Sequence, residues 1–228
     1  MKNKECLSAL AGRLIVSCQA LPDEPLYSDF VMAKMATAAM LGGAAGIRAN
    51  SVVDITAIRA VVKLPMIGII KRDLPDSPVY ITPEMADVDA LVQTGCELIA
   101  MDATARPRAG GQTLDDFFAA VRKKYPDQLF MADVSTLEEG LHAQALGFDA
   151  VGTTLCGYTP YTAGTPLPNL ELIAALAKAL TVPLIAEGGI STPEQLRAAM
   201  DKGAHACVVG AAITRPMLIT RSFVQALK

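Results

Sequence analysis

The chain has 228 residues, 52% of them hydrophobic, with a formal net charge of −3 and a pI near 5.4. That composition supports a large core, and the acidic balance, without a basic run interleaved with aromatics, argues against nucleic acid or an anionic membrane as partner. No run reaches the roughly 18 apolar residues of a membrane span, and the opening stretch MKNKECLSALAGRLIVS is too short in apolar residues for a signal peptide.

Apolar runs of strand length alternate with helix-length segments from one end to the other. Strands are expected near 14–18, 45–47, 66–70, 98–101, 129–132, 150–152, 184–186 and 206–209. Helices are expected near 28–41, 51–61, 83–94, 113–124, 136–146, 169–180 and 192–202, with a last one over 216–227. Eight strands, each followed by a helix, indicate an α/β fold: a single (β/α)8 barrel domain spanning 1–228. An open doubly wound sheet fits less well. Its glycine fingerprint is missing after the first strand, which runs into Gln19-Ala20-Leu21-Pro22.

A glycine ends a helix shortly before a strand at Gly43, Gly95, Gly147 and Gly203, about two βα units apart each time. This internal repeat suggests four quarter-barrels, the glycines serving as left-handed helix caps. The stretch 72–81, RDLPDSPVYI, is the longest irregular piece, and its length suggests a functional loop. The five cysteines (Cys6, Cys18, Cys96, Cys156, Cys207) form no C-x-x-C pair, so reduced thiols in a cytosolic core are expected. His142 and His205 lie far apart, and neither a metal centre nor a cofactor is expected.

Barrel chemistry sits where the strands end. The polar residues at those ends are Gln19, Arg48, Lys71, Asp102, Asp133, Thr153 with Thr154, and Glu187; the eighth strand ends at Gly210. Arg48, Lys71, Asp133 and Glu187 would converge on one mouth of mixed charge, the setting that shifts pKa values for acid/base work. An ion-pair network that merely closes the barrel top is the simpler alternative. The stretch 183–190, PLIAEGGI, places Gly188-Gly189 directly after Glu187. Gly210-Ala211 follows strand eight, and Arg215 lies a few residues on. Turns after strands seven and eight commonly hold phosphate in this fold, and an arginine adds a charge-assisted contact. No G-x-x-x-x-G-K-[ST] occurs, which argues against nucleoside triphosphates.

The segments IVSCQALPDEPL, GIRANS, GIIKRDLPDSPVYITP, ELIAMDATARPR, MADVS, VGTTLCGYT, IAEGGI and VVGAAITRP, in that order, resemble bacterial N-acetylmannosamine-6-phosphate 2-epimerases over nearly the whole chain. The resemblance implies interconversion of N-acetylmannosamine 6-phosphate and N-acetylglucosamine 6-phosphate in sialic acid catabolism. It implies Lys71 as the catalytic lysine, Glu187 as the active-site glutamate, and Gln19, Arg48, Asp133 and Thr153 as sugar-orienting residues. Gly188, Gly189, Gly210, Ala211 and Arg215 would bind phosphate. It further implies a cytoplasmic, metal-independent homodimer. The last helix, apolar on one side, would cover its own barrel or a partner's.

The two sugars differ only at C2, so C2–H must break and reform. That proton is acidic when C1 is an open-chain aldehyde, and the resulting enolate needs positive charge nearby. Two schemes fit the residues. Lys71 and Glu187 act from opposite faces of C2, or Lys71 acts alone while Glu187 handles a hydroxyl or ring opening. A Schiff-base aldolase, a metal-dependent ribulose-phosphate epimerase and a non-catalytic phosphosugar sensor are the alternatives.

Overall fold

The computed structural model describes residues 2–227, with side chains from residue 5 onward. A helix α1 (Lys2–Ala9) precedes β1 (Arg13–Cys18). There follow α2 (Asp29–Leu41), β2 (Gly46–Asn50), α3 (Val52–Val61), β3 (Met66–Ile69), α4 (Met85–Gln93) and β4 (Leu98–Asp102). The second half runs α5 (Leu114–Lys124), β5 (Leu129–Asp133), α6 (Leu137–Leu146), β6 (Ala150–Gly152), α7 (Leu170–Ala179), β7 (Leu184–Ala186), α8 (Pro193–Asp201) and β8 (Ala206–Val209). Two last helices, α9 (Ala211–Thr214) and α10 (Pro216–Gln225), complete the order. All eight strands pair in parallel with their sequence neighbours, and β1 pairs with β8 to close the barrel. This is the expected (β/α)8 architecture. None of the helices among the described residues is long and apolar enough to cross a membrane.

Alternation along the strands divides the core in two. Val16, Ile47, Ile99, Phe130, Val151, Leu184 and Cys207 face outward into the layer between strands and helices. Ile15, Ile69, Ala100, Met131, Ala150, Ile185 and Val208 fill the barrel interior. Cys6, Leu7 and Leu10, on or just after α1, belong to that interior cluster and seal the barrel's lower end. The sequence reading did not include α1. Its eight residues give too little periodicity to separate it from a leading coil. Gly46 answers α1 from within the barrel: a Cβ there would stand 2.8 Å from a Leu10 methyl.

The helix signals act as local chemistry dictates. Ser51, Thr113, Thr136, Asn169 and Thr192 each accept a backbone N–H through the side chain at the start of their helices. The four repeat glycines all adopt positive φ, between 69° and 99°. All five cysteines are buried free thiols. The stretch 72–81 is more ordered than the expected loop. Antiparallel bridges Lys71–Ile81 and Leu74–Ser77 fold it back on itself, with Arg72 N–H donating to Tyr80 O at 2.9 Å. That excursion returns Tyr80 and Ile81 to the barrel mouth.

Candidate active site

The alternation that sorts apolar residues into the barrel also selects the residues of its mouth. Two residues beyond Ile15, Gly46, Ile69, Ala100, Met131, Gly152, Ile185 and Val208 stand Ser17, Arg48, Lys71, Asp102, Asp133, Thr154, Glu187 and Gly210. These positions continue the inward face at the C-terminal ends of the strands. A cavity of about 760 Å³ opens there.

Arg48 is its floor. The side chain is 1% exposed and crosses the barrel top from β2 to β5. Nη1 donates to Asp133 Oδ1 at 3.1 Å and Nη2 donates to Asp133 Oδ2 at 2.6 Å, a bidentate fork. Nη1 also lies 3.0 Å from Glu187 Oε2. Burial alone would weaken the Arg48 charge, but Asp133 and Glu187 outweigh it and raise its pKa further. The Thr154 hydroxyl lies 2.6 Å from Asp133 Oδ1 and 3.2 Å from Glu187 Oε2. The Thr153 hydroxyl, on the other strand face, donates to Glu187 O at 2.7 Å and accepts from Glu187 N–H at 3.0 Å. It fixes the glutamate's backbone.

Glu187 and Lys71 are shifted in opposite directions. Burial pushes the Glu187 carboxyl above its usual range. Asp133 adds to that, while Arg48, Lys71 and Thr154 oppose it. Burial pushes the Lys71 ammonium down, and Arg48 and Arg215 act the same way against Glu187 and Asp133. Lys71 carries exposed surface, yet it sits within the concave cavity among protein atoms, which is why desolvation dominates. Its backbone is held by donation to Asn50 Oδ1 at 2.8 Å.

The rim after β7 and β8 has the geometry to receive an anion. Gly188 and Gly189 have φ of 107° and 71°, and a Cβ on Gly189 would come within 2.3 Å of Leu167 Cβ. Only glycine fits that turn. Gly188, Gly189, Gly210 and Ala211 line the cavity, and Gly210 caps α9. Among the described residues, no protein acceptor takes the N–H of Gly188, Gly189 or Ala211. Arg215 lines the same rim and is gripped by Glu24: Nε donates to Oε1 at 2.8 Å, and Nη2 forms an ion pair with Oε2 at 2.5 Å. Burial raises the Glu24 carboxyl, but the Arg215 bond, the Leu21 N–H and Lys71 overcome it and hold it below the usual range.

Of the residues singled out in the sequence, Gln19, Arg48, Lys71, Glu187, Gly188, Gly189, Gly210, Ala211 and Arg215 line one cavity. Asp133 and Thr153 are buried behind it, 0% and 3% exposed. Asp133 grips Arg48, and Thr153 grips the Glu187 backbone, so both stand one layer behind the cavity lining. Gln19 donates to Ser17 Oγ at 2.8 Å, and its Oε1 has no hydrogen-bond partner among the described residues. Asp102 has the inward position but pairs with Arg106 and Thr104 of its own loop. Thr154, Tyr80 and Glu24 also line the cavity. Thr154 follows from strand alternation; Glu24 follows from nothing local, since its partner is 191 residues away.

Residues 32–228 match the family described as "Putative N-acetylmannosamine-6-phosphate epimerase". A relative from Enterobacter sp. (strain 638), named "Putative N-acetylmannosamine-6-phosphate 2-epimerase", is 54% identical over 227 residues, 99% of this chain and 97% of the relative. One of the same name from Clostridium perfringens (strain SM101 / Type A) is 54% identical over 222 residues, 97% of this chain and 100% of the relative. The solved structure of the N-acetylmannosamine-6-phosphate 2-epimerase from Clostridium perfringens superimposes with a TM-score of 0.92 at 53% identity, covering 96% of this chain and 95% of that one. On sequence and on fold alike, the chain belongs to the N-acetylmannosamine-6-phosphate 2-epimerase family.

Proposed function

We propose that this protein interconverts N-acetylmannosamine 6-phosphate and N-acetylglucosamine 6-phosphate by removing the C2 proton from one face and returning a proton to the other. The observation that carries this reading is the placement of Lys71 and Glu187. They extend β3 and β7, four strands apart in a closed barrel of eight, and therefore stand on opposite walls of the mouth. A sugar chain lying between them turns one face of C2 to each. Arg48, charged and central, supplies the positive field that an enolate at C1–C2 requires.

Charge balance makes the pair work in both directions. Arg48 and Asp133 cancel, leaving Lys71 and Glu187 to share one proton. Ionised together, or neutral together with the proton on Glu187, they leave the cluster at net zero. In each form one group is a base and the other an acid, which is what inversion needs. After one turnover the roles have exchanged, ready for the reverse reaction. The opposed pKa shifts bring the two forms closer in energy. The phosphate would lie against Gly188, Gly189, Gly210 and Ala211. Arg215, oriented by Glu24, has an Nη1 with no protein partner among the described residues to offer it. Gln19 Oε1, an unpartnered acceptor, would take a sugar hydroxyl or the amide N–H.

This reading carries with it a place in sialic acid catabolism, a cytoplasmic location supported by five free thiols, and no metal requirement. A homodimer is part of it. Phe30, Leu41, Phe223 and Leu227 are 66%, 80%, 74% and 89% exposed, apolar surface that a second copy would cover.

The test is proton NMR of N-acetylmannosamine 6-phosphate with the purified protein in deuterated water. The C2 epimer should appear carrying solvent deuterium at C2, while early recovered substrate keeps its protium. A product that retains its original proton would replace the two-sided scheme with a single carrier, and no epimer at all would overturn the proposed activity. The same pair also sets the pH profile. Both active forms hold one proton between the two groups, so kcat/KM should fall at low pH, where both are protonated, and at high pH, where neither is. The acid limb should lie above the ordinary carboxylate range and the alkaline limb below the ordinary lysine range. A profile with only one limb would contradict the shared proton.

A further inference from the structure

Thr154 stands between the two carboxylates at the barrel mouth. Its hydroxyl reaches Asp133 Oδ1 at 2.6 Å and Glu187 Oε2 at 3.2 Å. Arg48 Nη1 meets the same two oxygens, at 3.1 Å and 3.0 Å. One guanidinium nitrogen and one hydroxyl thus close a ring with one oxygen of each carboxylate. The consequence for Glu187 is directional. Oε2 is held on two sides, while no protein group among the described residues bonds to Oε1, which is left for the ligand side of the cavity. The space around the ring is tight. A Cβ on Gly152 would fall 2.1 Å from Met131 Cε, and also 3.2 Å from Thr154 Oγ1 and 3.3 Å from Asp133 Oδ1, so the strand carries no side chain there.

We infer that Thr154 is a positioning residue for Glu187: its hydroxyl, shared with Asp133, fixes the glutamate rotamer with Oε1 toward the reacting carbon and sets how readily that carboxyl holds a proton. For its catalytic consequence, though not for its effect on Glu187, the inference rests on the epimerase reading above. The hydroxyl has one proton and two acceptors in reach. The shorter contact goes to Asp133, the buried carboxylate that never meets substrate. A weaker share goes to Glu187, which must gain and lose a proton in each cycle. A full hydrogen bond to Oε2 would favour the ionised form of the glutamate; without it, Oε2 would be held by Arg48 alone. The groups facing Glu187 are Arg48 from β2, Lys71 after β3, Asp133 from β5 and Thr154 after β6, with Tyr80 on the same cavity wall. Of these, Arg48, Lys71 and Asp133 cannot be removed without altering the charge of the site; Thr154 can, and it alone of the two neutral groups bonds to Glu187.

The substitution Thr154→Val keeps the shape and removes the hydroxyl; Thr154→Ser keeps the hydroxyl and removes the methyl. The direct readout is 13C NMR titration of glutamate carboxyl carbons, with the Glu187 signal assigned from its loss in Glu187→Gln. In Thr154→Val the Glu187 titration should move to higher pH, because a donor to the ionised form is gone. In Thr154→Ser it should stay near wild type. Kinetically, Thr154→Val should lose about tenfold in kcat, on the scale of one hydrogen bond, with KM nearly constant and its acid limb displaced upward. A Glu187 titration that coincides in wild type and Thr154→Val would overturn the inference. So would a Thr154→Ser protein displaced as far as Thr154→Val, since the methyl would then be the cause. The titration needs no turnover, so a wild-type protein inactive on N-acetylmannosamine 6-phosphate would count against the epimerase reading while Thr154 was still decided by NMR.

Discussion

Replacing Lys71 with alanine should lower kcat by about 1,000-fold or more, the scale of losing a general acid/base group, while KM for the phosphosugar changes little. The separation follows from geometry. Lys71 lies on the wall opposite Glu187, whereas Arg215 and the turns proposed to hold the phosphate are on the rim after β7 and β8. Removing an interaction made chiefly in the transition state lowers kcat and kcat/KM together. The backbone should not follow the side chain. The 71–81 excursion is anchored by Lys71 N–H to Asn50 and by Thr82 N–H to Ile70 O at 2.7 Å, bonds that alanine keeps. Lys71→Arg separates charge from proton transfer. It keeps the cation but does not release a proton at working pH, and it should be as inactive as the alanine protein. If Lys71→Arg retained most of the rate, Lys71 would be an electrostatic anchor and the base would have to be sought elsewhere. Borohydride treatment with substrate should leave the wild type active, because no bond forms between the Lys71 amine and the sugar. Trapped, covalently labelled protein would point to Schiff-base chemistry instead.

Much of this site was legible because strands have a period of two. Arg48, Lys71, Asp133 and Glu187 all continue the inward face of their strands, so a reading of strand ends picked them out as one group. Thr153 and Thr154 both end β6, but only Thr154 shares the inward face of Ala150 and Gly152; Thr153 serves the Glu187 backbone instead. Asp133 was legible as a member of the cluster, yet its depth was not. Its exposure of 0% follows from the reach of Arg48, and a strand pattern does not record how far a long side chain extends.

The fold was legible for a related reason. Each parallel strand is buried on both faces and reads as a short apolar run, and the repeat glycines mark where helices give way to strands. The elements that escaped are short or depend on distant contacts. α1 acquires its role only against the barrel interior. α9 has four residues and is held by Thr214, whose hydroxyl donates to Ser17 O at 2.7 Å. Glu24 and Arg215 meet across nearly the full length of the chain. None of these has a local signature, because the interaction that defines each lies in tertiary structure.

Arg48→Met should cost both activity and stability, and the pH dependence of the stability loss identifies its cause. Arg48 is the cation that Asp133 and Glu187 share. Removing one partner from a buried ion network typically costs about 3–5 kcal/mol, because uncompensated charge is left in a poorly solvated place. Methionine fills much of the volume, so the loss is mainly electrostatic. The Glu187 carboxyl, already pushed up by burial, then loses the Arg48 cation that opposed the rise, so its folded-state pKa lies further above that in the unfolded chain. A carboxyl in that condition disfavours folding as pH rises through its folded pKa, and the penalty disappears once it is protonated. The stability difference between Arg48→Met and wild type should therefore be large at pH 8 and shrink toward pH 5, as read from denaturant midpoints. A loss of constant size across that range would mean that packing, and not charge, is what Arg48 supplies. Arg48→Lys refines the point. It restores one positive charge but no planar fork, and a single ammonium cannot reproduce the contacts that Nη1 and Nη2 make with three oxygens on two carboxylates. It should recover part of the stability and little of the turnover, since Glu187 would lose one of the two partners that hold Oε2 in place. Full recovery of kcat in Arg48→Lys would show that only the net charge of the floor matters and that its geometry does not.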